Sequence, residues 1–297
     1  MSQNFSIRIP GKCILAGEHS VLRGVPALVL PVNSKFLSLD FTNVESDLEL
    51  ECEGKQQAIW DVLFWGVIEK ALTKLSLEKS DLKGHILLKT NLSLGAGMGA
   101  SASLCVAVAK LFVYWGHLKE THVYDFARSL EDLFHGESSG VDIAVALEAK
   151  GIRFTRNQAR KTIDMKWRPK LYLSYTGGKG ITSECVSQVK EMFEHHFEQA
   201  KDIDDKMEAA VLKMEAALAK EESDLARSEF AEAMNQAGDC FKDWGLLGGG
   251  LKELQETLNQ NGAIATKPTG SGNGGYLLSL WNQEPPKIEG VNYISVL

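Results

Sequence analysis

A two-domain protein built from both strands and helices is what this sequence predicts, on three observations. The chain has 297 residues, beyond the size at which one hydrophobic core usually keeps growing. Its first fifty residues alternate and turn often in the manner of strands, whereas long later stretches repeat apolar residues at helical spacing. Glycine-rich turns punctuate both kinds of segment. The boundary is expected in the basic, irregular stretch RNQARKTIDMKWRP, giving domains over residues 1–165 and 166–297.

From Phe5 to Cys52 the runs FSIRI, CILA, ALVLPV, FLSLDF and DLELEC are cut by Gly, Pro and Asn, so the chain enters as strands. Gln57 to Leu75 changes period. There Ile59, Leu63, Val67 and Leu75 recur near helical spacing while Glu69, Lys70 and Lys74 face elsewhere, which predicts a helix. His85 to Leu92 reads as a strand leading into LGAGMGAS, and Ser101 to Trp115 is then an apolar, almost uncharged helix. Helices are expected over Val123 to Phe134 and Gly140 to Ala149, followed by a strand at GIRFT. Past the irregular stretch come the strand LYLSY and long charged helices in which Met207, Val211, Met214 and Leu218 repeat at 4-3-4 spacing. Glycine-rich loops recur at Gly248 to Gly250 and Gly270 to Gly275, and YLLSLW and NYISVL close the chain as strands.

Composition narrows the function classes. With 32 Lys+Arg against 39 Asp+Glu the net charge is −7, which carries no electrostatic footprint for nucleic acid. Five cysteines, scattered and without a CxxC pair, suggest neither a disulfide framework nor a zinc cage and fit a reduced cytoplasm. The N-terminus lacks a charged leader with a long apolar run, and no stretch reaches about 18 uninterrupted apolar residues, so neither secretion nor a membrane partner is expected.

Four segments place chemistry-bearing residues together. LGAGMGAS, with the residues Gly95, Ala96, Gly97, Met98, Gly99, Ala100, Ser101 and Ala102, stands directly before a helix. The first turn of a helix has amides without intrahelical acceptors and the positive end of the dipole, so this loop is either a seat for phosphate or a tight strand-to-helix turn. Its glycines are spaced G-x-G-x-G, which does not fit the dinucleotide fingerprint, and a Walker lysine is missing. KPTGSGNGGYLLSL, Lys267 to Leu280, is a second glycine-rich turn, either wrapping phosphate or forming a flexible hairpin. In LEDLFHGESSGVDIAVAL, Glu131 and His135 stand at i,i+4 and Asp142 opens an apolar helix, as a helix N-terminal anion or as a chemical group. In PGKCILAGEHSVLRG, Lys12 interrupts an apolar strand and Glu18, His19 and Ser20 crowd into one turn, where a snorkelling lysine and a surface turn are the plain alternatives.

Taken in order, these segments resemble the motifs of the GHMP kinases, the family of galactokinase and the homoserine, mevalonate and phosphomevalonate kinases, from Pro10 to Leu280. PGKCILAGEHSVLRG resembles the first motif in its mevalonate-phosphorylating form, LGAGMGASAS the phosphate loop, HGESSGVD the acidic motif and KPTGSGNGG the third glycine-rich loop. GEHSVL discriminates best, because galactokinases usually follow that Glu-His with Thr-Asp and phosphomevalonate kinases tend to carry Tyr in place of the His.

The resemblance implies an α+β architecture: an N-terminal domain with a mixed sheet and a left-handed βαβ unit, and a ferredoxin-like C-terminal domain. It implies phosphoryl transfer from ATP to the primary hydroxyl of mevalonate in isoprenoid synthesis. Asp142 would be the base, and Lys12 beside it would stabilise charge; Ser101 and Glu131 would ligate Mg²⁺, and the Gly95–Ala102 loop would hold the ATP phosphates. Glu18, His19, Ser20, Lys179, Thr182, Gly270, Ser271 and Gly272 would contact the acceptor, and a homodimer is a further implied possibility. Three departures stand out. Ala100 replaces the first serine of the phosphate loop, Ser138 replaces a usual proline and is expected to loosen the turn before Asp142, and Gly180 stands where an Arg is common, with Lys179 beside it to supply the charge. The alternatives are another GHMP small-molecule kinase and a non-catalytic ligand sensor. A metal hydrolase built on His195 and His196 is disfavoured, since adjacent helical histidines diverge and no HExxH string is present.

Overall fold

The computed structural model describes residues 4–135, with His135 entering by its backbone alone, and residues 138–297. β1 (Asn4–Ala16) begins with alternating exposure and ends as a fully buried run. β2 (Ala27–Asp47) does the reverse, buried from Ala27 to Val32 and exposed toward its end. The expected strand runs fuse here, because Pro10, Gly11 and Pro31 lie inside continuous strands; a proline is tolerated where the ladder does not use its amide. β3 (Glu49–Gly54) and β4 (Lys83–Thr90) run parallel, joined by α1 (Gln57–Leu75), a βαβ unit. The other edge of β4 pairs antiparallel with β2, which makes the sheet mixed.

The helix over 57–75 forms as expected, but its buried stripe is Trp60, Phe64, Val67, Ile68, Ala71 and Leu72, while Ile59 is half exposed. The stripe turns by one residue because the two large aromatics bury more area than the aliphatics beside them. α2 (Ala100–Tyr114) is buried almost throughout, and α3 (Val123–His135) and α4 (Val141–Glu148) pack on it.

Contacts divide the chain into two units, neither of them a single stretch. The first is Met1–Gly11, Lys35–Ser93 and Gly99–Ala149; the second is Lys12–Ser34, Leu94–Met98 and Lys150–Leu297. In the second, the start of β2 pairs with β5 (Ile152–Phe154), and β5 pairs with β6 (Lys161–Thr162). A separate antiparallel sheet follows, in the order β10-β7-β9-β8, from β7 (Lys170–Tyr175), β8 (Ala265–Thr269), β9 (Tyr276–Trp281) and β10 (Tyr293–Ser295). Its helices are α5 (Thr182–His195), α6 (Phe197–Leu218), α7 (Asp224–Asp243) and α8 (Leu251–Gln260). Met207, Val211, Met214 and Leu218 are wholly buried on α6, as their spacing predicts, and α7 packs along α6 and onto β8. Ser223 caps α7 by accepting the Ala226 amide at 3.1 Å. All five cysteines are free thiols, and among the described residues no helix is long and apolar enough to cross a membrane.

Candidate active site

In the second unit, β1 delivers the chain into a buried turn, Glu18-His19-Ser20. His19 has φ +57, in the left-handed region, so its surroundings must hold it there. They do so by three routes. The His19 ring meets Phe241 and Trp244 edge-on at 6.0 and 5.1 Å, and its Nε2 lies 2.9 Å from the Ser271 carbonyl oxygen. The Ser20 hydroxyl donates to Asp204 Oδ1 at 2.5 Å, and Arg23 forks onto the same carboxylate through Nε at 2.5 Å and Nη2 at 2.6 Å. The Arg23 guanidinium also stacks 4.1 Å from the centre of the Phe193 ring. Burial pushes the His19 pKa down to about 4, so the imidazole is neutral at neutral pH and its Nε2–H donates to Ser271.

Glu18 is the deepest carboxylate of the turn, 2% exposed. Its Oε1 accepts from Lys267 Nζ at 2.5 Å, and Lys267 is itself completely buried on β8. Burial raises the Glu18 pKa above the ordinary carboxyl value while Lys267 pulls it back. Glu18 Oε2 is buried and has no hydrogen-bonding partner among the described residues. Lys267 opens the third glycine-rich motif but carries no expected role there, and Asp204 lies outside the four motifs. The legible signals are a lysine at the head of a glycine-rich motif and an aspartate on the apolar face of a helix.

The two glycine-rich loops pack main chain to main chain. A Cβ on Gly97 would lie 3.3 Å from the Thr269 carbonyl oxygen, and one on Gly275 would lie 3.1 Å from that of Ala96. Both positions have positive φ, so glycine is required there on two counts. Thr269 Oγ1 ties β8 to β1 through the Ile14 amide at 2.9 Å and the Ile14 carbonyl at 3.1 Å, and the Lys12 amide donates to Met98 O at 3.1 Å. The Lys12 side chain is buried. Lys179 is exposed and reaches the space over Gly95, and Thr182 Oγ1 lies 3.4 Å from Ser271 Oγ. The second unit thus gathers Glu18, His19 and Ser20 with Gly270 to Gly272 and Thr182, and Lys179 with the phosphate loop.

In the first unit, Gly99 at φ +74 opens α2, with Ala100 and Ala102 buried and Ser101 half-buried on its first turn. Ser103 bonds Gly99 O through both its amide and its hydroxyl at 2.9 Å. Glu131 is 2% exposed on α3, which packs on α2, and its Oε2 accepts the Ser138 hydroxyl. The Gly140 amide in turn donates to Ser138 Oγ at 3.1 Å. Ser138 therefore does not loosen this turn as the missing proline suggests. It fastens the turn to Glu131, replacing a fixed φ by two hydrogen bonds. Asp142 is half-buried in the first turn of α4. Of the acidic motif, the His135 side chain, Gly136 and Glu137 lie outside the described residues. Among those described, no group of three or more His, Cys, Asp or Glu would hold a metal. One carboxylate and one hydroxyl are nonetheless a hard oxygen donor set of the kind Mg²⁺ accepts when phosphates complete its shell.

Known proteins similar to this chain share its fold. Residues 62–150 match the GHMP kinases N terminal domain. Mevalonate kinase from Pyrococcus horikoshii is 26% identical, with 91% of this chain and 87% of that protein covered. The Archaeoglobus fulgidus mevalonate kinase is 26% identical, with 94% and 93% covered. Among solved structures, L. major mevalonate kinase in complex with R-mevalonate superposes with a TM-score of 0.78 at 24% identity, over 99% of this chain and 96% of that one. The Methanococcus jannaschii mevalonate kinase gives 0.76 at 19% identity over 99% and 98%. The class this defines is one of fold and of a matching segment: the chain has the fold of these kinases, and its residues 62–150 match the N-terminal domain of the GHMP kinases. Within that class its likeness is to mevalonate kinase.

Proposed function

We propose that this protein is a cytoplasmic, ATP-dependent mevalonate kinase that forms 5-phosphomevalonate for isoprenoid synthesis. The observation that carries the reading is the buried Glu18-His19-Ser20 turn, locked onto the third glycine-rich loop in a chain that resembles mevalonate kinases over nine-tenths of its length. Phosphoryl transfer asks the protein mainly to align a hydroxyl with the γ-phosphorus and to neutralise developing charge. In this reading, the loop from Gly95 to Ala102 and the first turn of α2 hold the triphosphate, because their amides and glycines suit close approach by phosphate oxygens. Ser101 and Glu131 would hold Mg²⁺, which would supply charge neutralisation at the phosphate oxygens. Asp142 takes the proton from the primary hydroxyl of the acceptor, and Lys12 stabilises the oxygen left behind. Glu18, the neutral His19, Ser20, Thr182, Lys179 and residues 270–272 position the acceptor.

The deciding experiment is an ADP-release assay with ATP and Mg²⁺ across mevalonate, phosphomevalonate, galactose and homoserine. Mevalonate is expected to give the highest kcat/KM. A higher value for another acceptor, or binding of mevalonate and ATP without ADP release, overturns the proposal.

A further inference from the structure

Three N–H groups of a completely buried lysine meet three oxygens. Lys267 Nζ lies 2.5 Å from Glu18 Oε1, 2.5 Å from Pro268 O and 3.3 Å from Ile14 O. That is the complement of an ammonium, since a neutral amine brings two donors and a lone pair that no carbonyl can meet. An ammonium so deep needs a counter-charge, and Glu18 provides it. With Oε1 held, the carboxylate cannot turn freely, and Oε2 is left buried with no donor among the described residues. A buried acceptor without a partner is rare in a folded protein and marks a place that a donor completes. Because Lys267 already balances the charge, the donor that fits is a neutral hydroxyl and not a second ammonium. The neighbouring contacts continue the same surface: His19 follows Glu18 and bonds Ser271, whose hydroxyl meets Thr182.

We propose that Lys267 is a positioning residue for the acceptor, holding Glu18 as a carboxylate whose Oε2 receives a hydroxyl of the substrate. The proposal rests on the kinase reading above and deepens it. It names the group that fixes Glu18 and predicts preference for a hydroxyl over a cationic group at that point.

The groups acting on Glu18 are Lys12 and Cys13 from β1, Cys240 from α7 and Lys267 from β8, with His19 beside it in the turn. Removing Lys267 leaves Lys12 as the nearby cation and lets burial dominate, so Glu18 binds a proton at neutral pH. The test uses the full chain as wild type, Lys267→Met, Lys267→Arg, Glu18→Gln and Lys267→Met/Glu18→Gln. Kinetics are measured for ATP and for mevalonate over about pH 6 to 9, with infrared spectra of the carboxyl region.

For Lys267→Met the KM for mevalonate is expected to rise about tenfold or more, with the KM for ATP within about twofold. Its kcat/KM for mevalonate should climb with pH where the wild type is flat, because only the ionised Glu18 accepts the hydroxyl. A protonated-carboxyl band should appear in Lys267→Met and vanish in the double variant, and Lys267→Arg should keep the flat profile. Equal rises in both KM values with an unchanged pH profile and no new band would assign Lys267 a structural role only and overturn the proposal. Should Lys267→Met fail to fold, wild type against Glu18→Gln decides: a protonated-carboxyl band at neutral pH that is lost in Glu18→Gln overturns it, and absence of that band supports it. A wild type that phosphorylates no mevalonate would defeat the functional reading alone, because the infrared comparison reads the ion pair without turnover.

Discussion

Gly180 and Gly272 touch main chain to main chain: a Cβ on residue 180 would run into the Gly272 carbonyl oxygen. No side chain fits there without moving one of the two loops. Lys179, one residue earlier, is exposed, and its stem reaches over Gly95. Gly180→Arg is therefore expected to cost about 1–3 kcal/mol of stability and to raise the KM for mevalonate, rather than to improve binding. Lys179→Ala should leave the thermal midpoint within about 1 °C while weakening binding of an anionic ligand. Denaturant unfolding and steady-state kinetics on both variants check this, and an unimpaired Gly180→Arg would refute the packing argument.

Asp142→Asn keeps the shape of the side chain and removes its capacity to take a proton. It should lower kcat by about a hundredfold or more and leave the KM for ATP nearly unchanged, because the lost interaction is made in the transition state. Near-normal turnover in a folded variant would remove Asp142 from the chemistry.

Ser101→Ala is expected to raise the Mg²⁺ and ATP concentrations needed for half-maximal rate by about tenfold. Mevalonate binding, followed by calorimetry in the absence of nucleotide, should stay within about twofold of wild type. Equal loss of both would indicate damage to the start of α2 and not loss of a ligand.

Asp204 accepts three hydrogen bonds from Ser20 and Arg23, so Asp204→Ala strips the turn of its anchor and leaves a half-buried guanidinium without its carboxylate. A stability loss of about 2 kcal/mol is expected, together with a higher KM for the acceptor than for ATP. Ser20→Ala, which removes one bond, should show the same pattern more weakly. Unchanged acceptor binding in both would detach this network from the site.

His19 gives a signed pH dependence. Its pKa is about 4 in the folded protein and about 6.5 when unfolded, so between those values the unfolded state binds more protons and stability falls as the pH falls. From above pH 6.5 to below about 4 this one group removes about 3 kcal/mol. His19→Gln should lose less stability over that window than the wild type, and matching slopes for the two proteins would show that His19 is not held neutral by burial.

Much of this was open to reading in the chain. The 4-3-4 repeat of Met207, Val211, Met214 and Leu218 is buried as a single face, and the apolar run after the first glycine loop is a buried helix, because a periodic pattern reports a local requirement. Strand β8 was not legible. ATKPT has a lysine and a proline, and it is a strand only because β9 pairs along it and α7 covers it. The role of Ser138 is hidden in the sequence for a similar reason, since its partner Glu131 lies on another element and no local rule anticipates that bond.

The order of residues alone was enough for the class of fold and for which segments bear chemistry, since hydrophobic period, turn composition and motif spacing are written in neighbouring positions. Partnership across long separations was settled by folding: Lys267 stands 249 positions from Glu18 and Asp204 stands 184 from Ser20. A buried charge is tolerable only where the finished structure brings it a partner, and that pairing exists nowhere in the linear chain.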